Sequence, residues 1–134
     1  MKKLLLALLL LISAPVFADA LVVAIRGDVM GGSIYLEQGS SVAVGETVIT
    51  AERSFVVLQF TDGAKVTVRP QTEMVIETYE YMSENDQAEI HLVSGGLRII
   101  TGAISKNDPD SFTLSTKTAL MGVRGTEFSI QVVE

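Results

Sequence analysis

The sequence predicts an all-β protein: one domain of short strands and hairpins with little helix, arranged as a sandwich, a barrel or a rolled β-solenoid. Three observations lead there. From Leu21 onward apolar and polar residues alternate with period two almost everywhere. Clusters of Gly, Asn, Asp, Ser and Pro interrupt that alternation at short intervals ("MGGS", "EQGSS", "SENDQ", "SKNDPDS"). No segment beyond the first eighteen residues carries a sustained apolar stripe at the 3.6-residue helical period.

Those first eighteen residues read as a secretory signal peptide. Lys2 and Lys3 form a positive start and Leu4 to Ile12 an apolar run. Pro15 and the small residues of "VFA" follow, placing cleavage between Ala18 and Asp19. The apolar run is too short to span a bilayer, which takes about twenty residues. The expected division is a signal peptide over 1–18 and one domain over 19–134, exported to the periplasm or beyond, with no stable membrane insertion after cleavage. Without Lys2 and Lys3 the ten basic residues become eight against sixteen acidic ones, so the net charge moves from −6 to −8. An acidic domain is a poor nucleic-acid binder, because phosphate contacts need clustered Lys and Arg. There is no cysteine, so neither disulfides nor a lipidated cysteine can hold the domain.

The strands follow in order. "LVVAIRGDV" opens the domain, and "ETVIT" leads to "SFVVLQF", where Val56, Leu58 and Phe60 share one face. "KVTVR" continues with Val66 and Val68 inward, and Asp62-Gly63 between the two runs predicts a tight two-residue hairpin. "MVIETYEYM" follows Pro70. "AEIHLV" and "LRIIT" flank Ser94-Gly95-Gly96, read as a second hairpin or tight corner. "SFTLST" and "EFSIQV" close the domain.

Candidate chemistry is sparse. His91 is the single histidine and there is no cysteine, so a histidine-based triad and a zinc site of several His and Cys ligands are nearly excluded. No cofactor or metal is expected. Acids gather between Arg69 and Arg98, where they read as a solvated acidic hairpin that protects a sheet edge. Within that tract Glu77, Tyr79 and Tyr81 fall two residues apart on one strand face. Packing of the rings on the domain's own sheet is the plainer reading, and the trio stands beside it as the candidate partner surface. In "MGVRGTEF" Gly122 and Gly125 suit a corner between strands. Arg124 there could bind an anion, or bridge carbonyls and a carboxylate such as Glu127. Residue chemistry alone leaves both readings open.

The order of these features resembles a known family. "GDV" at 27–29, "GETVIT" at 45–50, "LQFTDGAKVTVRPQTEM" at 58–74, "LVSGGLRIITG" at 92–102 and "FTLSTKTALMGVRGTEFSI" at 112–130 are similar in sequence and order to the FecR-type periplasmic domain. Thr116, Ala119, Val123, Arg124, Gly125, Thr126 and Phe128 fall on its final motif. The resemblance implies a single compact twisted β-roll or β-solenoid-like domain that contacts other envelope components and is not an enzyme. It implies that Gly122, Val123, Arg124, Gly125, Thr126 and Phe128 form a structural corner, with a buried Arg124 tying strands together. Family regulators of iron signalling carry an anti-sigma segment and a membrane span ahead of this domain. Here a stand-alone domain behind a signal peptide is expected. The expected function is a non-enzymatic periplasmic binding or scaffolding module for an envelope protein or a cell-wall glycan. The alternative is an accessory component of envelope signalling that acts on a membrane-bound regulator or receptor.

Overall fold

A computed structural model describes residues 20–132, so the expected signal peptide and its cleavage point at Ala18 and Asp19 lie outside the described residues. Twelve strands form one strongly curled sheet, 56% of the described residues being strand and 7% helix, so the fold is all-β. The strands are β1 Ala20–Arg26, β2 Val29–Gly31, β3 Ile34–Tyr35, β4 Ser41–Val42, β5 Thr47–Thr50, β6 Phe55–Phe60, β7 Lys65–Val68, β8 Glu73–Glu80, β9 Gln87–Ile100, β10 Phe112–Ser115, β11 Leu120–Gly122 and β12 Glu127–Val132. Between β9 and β10 lie a five-residue helix α1, Ala103–Asn107, and a 3-10 turn, Pro109–Ser111.

The spine is β9. Its first half pairs with β8 on one side and β10 on the other, while its second half pairs with β7 and β12. The sheet therefore has two halves that share one strand: β4-β1-β6-β7-β9-β12 and β3-β2-β5-β8-β9-β10-β11. Their inner faces meet in a single core that includes Val22, Leu58, Val66, Ile76, Ile90, Leu97, Ile99, Phe112 and Leu114. The β-roll description fits this curl. The solenoid likeness is looser, because every ladder is antiparallel except that of β10 with β9, whereas stacked coils would pair in parallel.

Two local expectations change. Ser94-Gly95-Gly96 is no hairpin: β9 runs straight through it, exchanging β8 for β7 as its neighbour. Gly95 takes φ +87° there, in the left-handed region. The Asp62-Gly63 hairpin exists, but its loop has three residues. Gly63 N–H donates to Phe60 O at 3.0 Å, Phe60 N–H donates to Ala64 O at 2.8 Å, and Gly63 sits at φ +93°. That is a turn closed by a glycine bulge, whose twist suits the flanking strands as well as a two-residue turn does.

Helix α1 is the element the period-two reading missed. Its N-cap is Gly102, which offers no capping side chain. A Cβ at Gly102 would come within 2.5 Å of Ala64 N and 2.6 Å of Asp62 O, so a Ser or Asp cap has no room.

Candidate functional site

The cap for α1 comes from 42 residues away. Asp62 Oδ2 accepts from Ile104 N–H at 3.1 Å, and Asp62 O accepts from Ala103 N–H at 3.0 Å. Asp62 Oδ1 also accepts from Ala64 N–H at 3.2 Å and from the Tyr79 hydroxyl at 2.9 Å. The same hydroxyl accepts from Asp62 N–H at 3.0 Å. Asp62 is 8% exposed, a cost met because its carboxylate is surrounded by donors. One turn residue thus joins the β6–β7 hairpin, β8 and the start of α1.

Tyr79 reaches this site because of a β-bulge. Ile76 pairs with Ile90 and Thr78 with Glu89, so Glu77 is the extra residue and the inward parity of β8 changes beyond it. Met74 and Ile76 face the core before the bulge and Tyr79 after it, opposite the small Ala88. The Tyr79 ring lies 4.9 Å from that of Phe60, tilted by 40°. This corrects the candidate partner surface: Glu77 is exposed, Tyr79 is buried and Tyr81 is half-buried against the core. Residues two apart share a strand face only where the pleat is unbroken.

Burial raises the Tyr79 phenol well above its ordinary value. Above the usual phenol range of about 10 the unfolded chain releases a proton that the folded chain keeps. Stability from this group is therefore full below about pH 10 and falls as pH rises beyond it. Urea midpoints measured on either side of that pH are expected to show this decline, and Tyr79→Phe is expected to reduce its slope.

The segment 122–126 carries the chain from β11 in one half of the sheet to β12 in the other. Val123 is fully buried; its N–H donates to Phe112 O at 2.8 Å and its carbonyl accepts from Ser105 Oγ at 2.7 Å. Gly125 adopts φ +84°. Gly122 does not need a positive φ, and a Cβ there would make ordinary contact with Pro109 O at 3.5 Å. Thr126 O accepts from Thr101 N–H at 3.0 Å, and Thr101 Oγ1 donates to Gly125 O at 2.6 Å. Phe128 is half-buried against the core.

Arg124 is not the buried tie expected of it. Its side chain is 71% exposed and bonds Asp110 Oδ1 at 2.7 Å, itself on a 75% exposed side chain. Its expected partner Glu127 instead pairs with Arg98 at 2.7 Å, whose hydrogen bond holds the Glu127 carboxyl below its ordinary value. With Val123 turned inward, the next side chain along an extended backbone must point outward. Arg124→Ala is accordingly expected to change unfolding stability by less than about 1 kcal/mol, the range of exposed ion pairs. Thermal unfolding followed by circular dichroism checks this.

Asp110, the partner of Arg124, is itself a wall of an open acidic groove of about 730 Å³ that Glu84, Asp86, Glu89 and Asp108 also line. Among the described residues no three His, Cys, Asp or Glu side chains converge to hold a metal ion. His91 Nδ1 lies 2.8 Å from Ser115 Oγ across the parallel β9–β10 ladder, half-buried. Among the described residues no carboxylate bonds the ring, so the pair lacks the orienting third group of a triad.

Compared with known families, residues 46–134 match the family model described as FecR protein. Comparison with curated proteins and with solved structures gives no match.

Proposed function

Because the chain belongs to the FecR protein family, we propose that it is a non-catalytic binding module of the cell envelope, exported to the periplasm, that regulates signalling by contacting an envelope protein. The observation that supports this is where the polar chemistry goes. The buried Asp62–Tyr79 pair and the buried Thr50, Thr72, Thr101 and Ser105 all bond backbone or one another within the fold. No buried side-chain polar atom among the described residues is left unpartnered to meet a substrate. What the domain offers to the outside is surface: the acidic groove and exposed apolar side chains such as Tyr35, Ile34 and Leu120. No helix among the described residues is long and apolar enough to cross a membrane.

A cell-wall or surface glycan is the second candidate ligand, since the exposed ring of Tyr35 can stack on a sugar ring. In-cell cross-linking of the full chain, with recovered partners identified by mass spectrometry, separates the two. A membrane-bound regulator or receptor cross-linked through the domain supports the signalling role. Recovery of cell-wall material alone overturns it in favour of glycan binding, and turnover of a glycan or peptide by the purified chain overturns the non-catalytic reading.

A further inference from the structure

Most of the outer strands are too short to accept a neighbour: β3 and β4 have two residues each and β11 has three. The strand β12 is different. It has six residues, and among the described residues it pairs with β9 alone, in an unbroken register from Glu127 opposite Ile100 to Val132 opposite Gly95. Natural proteins blunt such edges with proline, lysine or a bulge. "EFSIQV" contains no proline or lysine, its ladder has no bulge, and its one charge is paired with Arg98. Its inner row, Phe128, Ile130 and Val132, is only half-buried, although Phe128 and Ile130 stand opposite the fully buried Ile99 and Leu97. The apolar row of the core therefore runs out to the edge and is left incompletely covered.

We propose that β12 pairs antiparallel with β12 of a second copy of this chain, about a two-fold axis at Ser129, so that the two sheets continue into one. The register follows from the strand itself. With Ser129 opposite Ser129, Phe128 meets Ile130 and Glu127 meets Gln131, each twice. Side chains of the same face then stand together, an aromatic ring packs on a β-branched side chain, and no like charges are opposed. A two-fold pairing of one strand with itself closes after two copies, so it yields a dimer and no filament. It uses an edge, independent of whichever surface contacts the envelope partner.

The chain has no cysteine, so single substitutions report the register. Under mild oxidation Ser129→Cys is expected to give a disulfide-linked dimer, while Gln131→Cys, four residues out of step with its own counterpart, is not. Light scattering of the unsubstituted chain is expected to give twice the chain mass. The dimer fraction is expected to rise with salt, because each copy carries a net charge of −6. Ser129→Glu, at an exposed position, sets like charges face to face only in the dimer and is expected to weaken it several-fold. Mixing with a Ser129→Lys chain is expected to restore pairing. A monomer at every salt and protein concentration overturns the proposal, as does Ser129→Cys linking to another envelope protein and not to itself. Gln131→Cys linking as readily as Ser129→Cys overturns the register.

Discussion

Asp62→Ala is expected to lower the unfolding free energy by about 3–5 kcal/mol, the scale of a buried charged hydrogen-bond network that loses its central acceptor. Three donors lose their partner at once: Ala64 N–H, Ile104 N–H and the Tyr79 hydroxyl. The loss cannot be repaired locally, because α1 has no cap of its own and Gly102 is pressed against the hairpin backbone. Asp62→Asn is expected to recover only part of it, since an amide can offer one acceptor where the carboxylate offers two. Urea unfolding of the three proteins measures the series. Equal stability of the alanine variant and the unsubstituted protein would show that water replaces the carboxylate at this site.

Gly95→Ala is expected to cost a similar amount, about 3–5 kcal/mol, for two reasons that can be separated. The residue sits at φ +87°, where a Cβ costs about 1–2 kcal/mol by itself. The Cβ would also lie 2.6 Å from both Gln71 O and Thr72 Cα, which are backbone atoms and cannot rotate away. Gly39→Ala is the control. It has nearly the same φ, +91°, but nothing within 4 Å of the added methyl, so it is expected to show the backbone cost alone. A larger loss at Gly95 than at Gly39, in thermal or urea unfolding, measures the contact. Equal losses would mean that the 69–72 connection yields to accommodate the methyl.

The contact at Gly95 exists because β7 and β8 lie end to end along β9, and the break between them is stitched to it. Thr50 Oγ1 accepts from Thr72 N–H at 2.9 Å and donates to Arg69 O at 2.5 Å, while Thr72 Oγ1 accepts from Gly96 N–H at 2.9 Å. Three chain segments far apart in sequence meet there, and nothing in "RPQT" or "SGG" taken separately announces the meeting.

Much of the architecture was legible in the residues. Val56, Leu58, Phe60, Val66 and Val68 alternate and all face the core, because a strand with one buried face must repeat every two residues. Family membership was legible in the order of the motifs. What misled was the extension of local rules across irregular points. Glu77, Tyr79 and Tyr81 share a parity, but the bulge at Glu77 reverses it and takes Tyr79 out of any contact surface. The resemblance implies a buried Arg124 that ties strands together, yet its guanidinium lies at the surface and bonds Asp110.

The sequence by itself determined the all-β class, the inward and outward faces of the regular strands, and the family, since each depends on neighbours within a few residues or on the order of motifs. Only the tertiary structure decided that Asp62 caps a helix 42 residues away, that β9 serves both halves of the sheet, and that β12 pairs with β9 alone among the described residues. The physical reason is one of range. Side-chain alternation is a property of the backbone pleat, but the donors a carboxylate meets and the neighbours a strand keeps depend on which distant segments the curl of the sheet brings together.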